Sequence, residues 1–260
     1  MSSSPILRNR MTYWSMPQIS VNTLKMIGTI LMVLYFFSAS VVQNGILHMS
    51  DYTTDQLNEL LAADGRMMLW AGIGSVGSVV GVMGVPIFAY LLVLGVEYTS
   101  DLRRYAAAVL IAAFVSEIPY DLAMSGQMWN WLEQNSLWTV LITLVMLWLL
   151  RRFQGPGMVP LLLSFFITAA GCFWAVFLRC KFGGGFVLIA ALLYLLRGHK
   201  GVSYGLGALV SLIYATAPLG FVLVALCDGQ RRSMGQWGKY AYYALYPITM
   251  ILFAVWTVMI

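Results

Sequence analysis

The chain has 260 residues, 60% of them hydrophobic and only 10% charged, with a formal net charge of +5. A soluble domain carries about 25% charged residues, so this composition cannot build a water-exposed surface and excludes a soluble enzyme or binding module. The modest positive charge points to loop topology in a bilayer and away from nucleic acid.

Within a bilayer only helices and closed barrels satisfy their own backbone. The apolar runs are continuous, as in "LWTVLITLVMLWLL" and "FVLIAALLYLL", and do not alternate with period two, so the fold class expected is all-α: a polytopic integral membrane helix bundle. Residues 1–21 read as a cytoplasmic N-terminal segment and residues 22–260 as one transmembrane helical domain. The polar lead is long and no small-residue cleavage site follows the first apolar run, so that run is read as a retained span.

About eight segments are expected, at 22–42, 67–99, 104–119, 136–150, 158–178, 183–196, 204–226 and 240–259. Between the first two, "YTTDQLNELLAADG" predicts a short amphipathic surface helix with Leu57, Leu60 and Leu61 on one face and Thr53 or Thr54 as its cap. The second segment is too long for one straight crossing and contains "GIGSVGSVVGVMGVP". It is expected either to be a broken or re-entrant helix or to use its glycines for close helix packing. At the end of the third, Pro119 is expected to end or kink the helix between Glu117 and Asp121, which then need not share a face. "GQMWNWLEQNSLW" supplies interfacial tryptophans.

Arg8, Arg10, Lys25, Arg103, Arg104, Arg151, Arg152, Arg197 and Lys200 fall on one side if each segment crosses once; by the positive-inside rule that side is cytoplasmic. "HMSDYTTDQLNELLAADG" and "SEIPYDLAMSGQMWNWLEQNS" carry acids and no base and fall outside. Arg231, Arg232 and Lys239 break the pattern. Either Pro218 makes the seventh segment something other than a crossing, or the second segment crosses twice.

Few groups can carry chemistry. Glu117 and Asp121 are either hydrated boundary carboxylates or a buried general base. Glu97, Asp101, Arg103 and Arg104 form an interfacial salt-bridge cluster, or Arg103, Arg104 and Lys25 form a basic mouth for phosphates. The glycines of "KFGGG" open a helix start to an anion or give a flexible entry. The loop "CDGQRRSMGQWGKY" suits a phosphate or lipid head group, or is plain topology. Tyr240, Tyr243 and Pro247 form a packed or interfacial stripe. Cys172, Cys180 and Cys227 show no metal spacing and no disulfide framework, and no metal site is expected.

The stretch from Gly84, "GVPIFAYLLVLGVEYTSDLRRYAAAVLIAAFVSEIPYDLA", resembles the TraX family of bacterial membrane proteins, as do "LKMIGTILMVL", "KFGGGFVLIAALLYLL" and "CDGQRRSMGQWGKYAYYALYPITMILF", in the same order along the chain. The resemblance implies a multi-pass protein of the bacterial cytoplasmic membrane related to N-acetylation of conjugative pilin and to membrane acyltransferases. It implies acetyl-CoA or another acyl-CoA as donor and a peptide, protein or small amine as acceptor. On this chain the carriers would be Glu117, Asp121 or Glu97 as base, with Arg103, Arg104 and Lys25 holding the CoA phosphates. Four ionisable positions of the family pattern are replaced. Tyr35-Phe36 stands for an Asp-His pair, Val82 for an arginine, Leu94 for a glutamate and Thr249 for a histidine. The rival reading is therefore a non-catalytic descendant: a partner-binding subunit, an immunity protein or a transporter-like conduit.

Overall fold

The computed structural model describes residues 18–229 and 236–259, with the backbone alone for residue 50 and residues 236–243. Arg8, Arg10, Arg231, Arg232 and the side chains of Lys239, Tyr240 and Tyr243 lie outside the described residues. The described chain is helical throughout, with no strand beyond two isolated bridges. Four helical stretches, Val21–Ile46, Gly65–Tyr98, Leu102–Ser125 and Met158–Phe177, are long and apolar enough to cross a bilayer.

Helix α1 (Val21–Phe37) starts at Ser20, whose side chain accepts from Thr23 N. It runs on as a π-helical stretch, Ser38–Ile46, closed by Leu47 N donating to Val42 O at 3.0 Å. As expected, α2 (Thr54–Ala63) is a short helix capped by Thr53, with a reciprocal bond from Gln56. Leu57, Leu60 and Leu61 are half-buried while the rest of α2 is exposed.

The glycine-rich segment divides into α3 (Gly65–Gly81) and α4 (Gly84–Tyr98). Both expectations for it hold, with different residues responsible. Gly74, Gly77 and Gly81 are the buried face of α3, and a Cβ on Gly81 would sit 2.6 Å from Tyr35 N and 2.7 Å from Leu31 O. They let the backbones of α3 and α1 touch. The break belongs to Pro86, which has no N–H to offer Val82 O. Val85 N takes that carbonyl instead at 3.1 Å, and Met83 N bonds Val80 O at 3.2 Å, a locally tighter winding. The carbonyl of Val79, one turn before Met83, accepts from the Thr216 hydroxyl.

Helix α5 (Leu102–Ser125) departs from expectation: Pro119 neither ends nor visibly divides it, and the helix continues until Gly126 at φ 66°. Packing along α11 (Gln236–Met259) and α6 (Ser136–Arg152) supports the turn that lacks the proline N–H. Glu117 and Asp121 therefore share one inward face.

After α6 come α7 (Met158–Phe177), α8 (Gly183–Leu195) and α9 (Lys200–Ser211). Helix α8 is central, its Phe186, Val187, Ile189 and Leu193 buried with Leu24 of α1, Val85 and Leu92 of α4, and Leu147 of α6. The seventh segment is not a crossing. Helix α9 has 12 residues, about 18 Å, and gives way to short 3₁₀ turns at Leu212–Tyr214 and Ala217–Leu219 around Pro218. Helix α10 (Gly220–Ala225) then returns. Ile19 N donates to Leu226 O at 2.9 Å and Asp228 N to Ile19 O at 3.1 Å, fixing the exit of α10 beside the start of α1. Arg197 Nε, just before α9, lies 3.7 Å from Glu97 at the end of α4. The segment thus enters and leaves at one end as a re-entrant hairpin.

That end also carries Arg103, Arg104, Arg151, Arg152 and Lys200. Asp228, which opens the "CDGQRR" loop, belongs to it too. The opposite end carries Asp51, Asp55, Glu59, Asp64 and Glu133, with Arg66, Arg179 and Lys181.

Candidate functional site

The acidic end contains a polar cleft, built by two loops that are stitched together. Gln134 N donates to Arg179 O at 3.0 Å and Lys181 N to Gln134 O at 2.9 Å. Thr139 closes the junction through its hydroxyl to Lys181 O. Phe182 follows at φ 63°, the left-handed conformation that a non-glycine residue adopts only where its surroundings enforce it. The result is an ion pair between residues far apart in sequence: Lys181 Nζ lies 3.0 and 2.9 Å from the two oxygens of Glu133. The Tyr120 hydroxyl also donates to Glu133, and the ammonium lies 5.7 Å from the centre of the Tyr35 ring.

The far wall comes from the π-helical stretch. Its i→i+5 winding brings Ala39, Gln43 and Asn44 to the side on which Tyr35 sits. Gln43 Nε2 donates to Ser78 Oγ at 3.2 Å, and Asn44 Nδ2 donates to Met124 O. Together with Met124 and Asn130 these residues enclose about 440 Å³, within the range of small-molecule sites. Burial alone lowers the Lys181 pKa; Tyr35 and Glu133 outweigh it, and the net effect raises it above the usual lysine value. The ammonium is thus firmly charged at neutral pH.

Glu117 and Asp121 do not line the cleft; they hold its wall. They are 6% and 2% exposed, so neither is the hydrated boundary carboxylate of the simpler expectation. The helix that persists through Pro119 turns them inward, where N–H groups of the 126–135 loop meet them. Asp121 Oδ2 accepts from Asn130 N at 2.9 Å. Glu117 Oε2 accepts from Trp138 Nε1 at 2.7 Å and from Asn135 Nδ2. Asn135 Nδ2 also reaches Ala113 O at 2.9 Å, and its Oδ1 caps α6 through Leu137 N. One oxygen of each carboxylate, Glu117 Oε1 and Asp121 Oδ1, is buried without a hydrogen bond.

The other sequence candidates lie at the basic end. Glu97 pairs with Arg197, whose guanidinium sits 4.6 Å from the centre of the Tyr194 ring. Arg104 pairs with Asp101 at 3.4 Å; Arg103 is exposed and Lys25 half-buried. Arg104 and Glu117 are thirteen residues apart on α5, about 20 Å along the axis. The six candidates therefore form no single site. Thr249, which bonds Tyr246 O at 2.9 Å, does not line the cleft. In "KFGGG" the glycines serve packing: a Cβ on Gly184 would lie 3.3 Å from Cys172 O. No metal-ligating cluster exists among the described residues.

Sequence reasoning missed Lys181, Glu133, Tyr120, Gln43 and Asn44 as a set. The available signal was a lysine and a glutamate in two loops expected on the same side. A family model described as "TraX protein" matches residues 20–258. No curated protein and no solved structure matches the chain.

Proposed function

This chain belongs to the TraX family, and from that premise we propose that the Lys181–Glu133 cleft is the acceptor site of an acyl-CoA-dependent transfer to an amino group, in a multi-pass protein of the bacterial cytoplasmic membrane. The observation that carries the reading is the ion pair set in the wall of an approximately 440 Å³ cavity at the end away from the basic loops. By the positive-inside rule the basic end is cytoplasmic and the cleft opens outward.

An amine arrives as an ammonium, is drawn to Glu133 and gives up one proton through that carboxylate to water, which frees its lone pair. Attack on a thioester forms the C–N bond and breaks C–S. Glu133 takes the proton that nitrogen sheds, and the leaving thiolate ends as the thiol once that proton is returned. The Lys181 ammonium is suited to the oxyanion formed on the way. Arg103, Arg104 and Lys25 are the groups at the cytoplasmic end suited to the donor's phosphates. Lys25 stands on the same helix as Tyr35, ten residues away, about 15 Å along the axis, so an extended thioester arm lying along α1 would reach the cleft.

The test is thermal stability in nanodiscs with and without acetyl-CoA, beside transfer of labelled acetyl to an amine. A ligand at 100 times its dissociation constant stabilises by about 2.7 kcal/mol, and Arg103→Ala/Arg104→Ala is expected to abolish that gain. The absence of both stabilisation and transfer would sink the catalytic reading. The second reading, a non-catalytic ligand- or partner-binding subunit, is favoured by the aromatic packing of Tyr35 and Phe36 on Phe182, Tyr120 and Tyr246 where the family pattern has an ionisable pair.

A further inference from the structure

We propose that the ligand of the cleft is a primary amine flanked by hydroxyl groups, the chemistry of an amino sugar. This rests on the reading of the cleft as an acceptor site and names the class of acceptor.

The hydrogen bonds already made along the lining decide what it has left to offer. Gln43 and Asn44 each commit one amide N–H, to Ser78 Oγ and Met124 O, which leaves each a second N–H and a carbonyl oxygen as its acceptor. Ser78, having accepted from Gln43, keeps its O–H as a donor. Asn130 takes Leu132 N on its Oδ1 at 2.9 Å and keeps its NH₂. Glu133 adds a carboxylate whose charge Lys181 already balances.

A ligand with a full negative charge is disfavoured here, because Glu133 already neutralises the ammonium and the surrounding end carries Asp51, Asp55, Glu59 and Asp64. The wall therefore offers both acceptors and donors. A hydroxyl both donates and accepts, so a polyol satisfies such a mixed set. The amine completes it by donating to Glu133. Tyr35 lines the cleft, and an aromatic ring suits the C–H side of a sugar.

The experiment measures the melting temperature of the full chain in nanodiscs with glucosamine, glucose or an alanine dipeptide amide in the buffer. A glucosaminide lipid placed in the disc separates a lipid-carried from a free source. The expected result is an upward shift of at least about 2 °C with saturating glucosamine or its lipid, a smaller one with glucose and none with the peptide. Glu133→Gln should bring glucosamine down to the level of glucose, and Gln43→Met should weaken both sugars. A shift with the peptide but not with glucosamine overturns the amino-sugar assignment and leaves the cleft as an amine site. Equal shifts with glucose and glucosamine in the unaltered chain overturn the role given to the amine. No shift with any of the amines overturns the acceptor-site reading itself.

Discussion

Lys181 and Glu133 meet through both carboxylate oxygens, at 3.0 and 2.9 Å, although 48 residues separate them in the chain. Both sit in loops, and their side chains are 16% and 38% exposed, respectively. The pair is thus neither a surface ornament nor a sealed core bridge. A double-mutant cycle with Lys181→Met and Glu133→Gln is expected to give a coupling of about 1 kcal/mol, discounted for solvent at the glutamate.

The raised Lys181 pKa sets a direction for pH dependence. A lysine whose folded pKa exceeds its unfolded value of about 10.4 contributes stability that is complete below that value. The contribution disappears as pH rises through the folded pKa. Melting temperature should therefore fall on the alkaline side, above about pH 10, and the Lys181→Met chain should show a shallower fall.

Glu117 is expected to position the loop that carries Glu133. Glu117→Ala strands Trp138 Nε1 and one bond of Asn135, at a cost of about 2–4 kcal/mol for two buried donors. Hydrogen exchange should show faster amide exchange across residues 126–135. Asp121→Ala should free the Asn130 amide in particular. If neither substitution speeds exchange in that loop, the two carboxylates do something other than hold it.

Two glycines of α3 should respond in opposite directions. Gly81→Ala drives a methyl against backbone at 2.6 and 2.7 Å, where neither α1 nor α3 yields easily, so a loss of about 1–3 kcal/mol is expected. A Cβ on Gly72 would meet nothing within 4 Å, and Gly72→Ala should stabilise by up to about 1 kcal/mol through helix propensity. Thermal denaturation in the same lipid gives both signs.

The re-entrant hairpin is checked by cysteine labelling in a chain whose three cysteines are replaced. Single cysteines at Gly198 and Asp228 should react from one side of the membrane, and one at Met128 from the other. Labelling of the first two from opposite sides would show that α9 and α10 cross. Thr216→Val, which removes the bond to Val79 O, should cost about 1 kcal/mol.

Much of the architecture is legible along the chain because it depends on local signals. The Thr53 cap, the leucine face of α2, the apolar run lengths and the basic loops each act within one element. Pro119 misleads because tertiary packing against α11 compensates a local defect. Pro86, not the glycines, breaks the second segment, since the missing N–H matters more there than flexibility. The cleft was hidden for a different reason. Its charged pair exists only because Gln134 and Lys181 are bonded through their backbones across two loops, and nothing in either loop alone encodes the other.

The hairpin at His199–Cys227 brings the chain back to the end at which α1 starts, and α11 then runs to the other. Gln18 and Met259 consequently emerge at opposite ends of the bundle: Ile19 bonds beside Asp228, while Thr257 lies against Gly45. Two copies joined tail to head by a short flexible tether could not both sit the same way up. The second would be inverted, its cleft on the opposite side of the membrane from the first, unless the tether itself were built to span the bilayer.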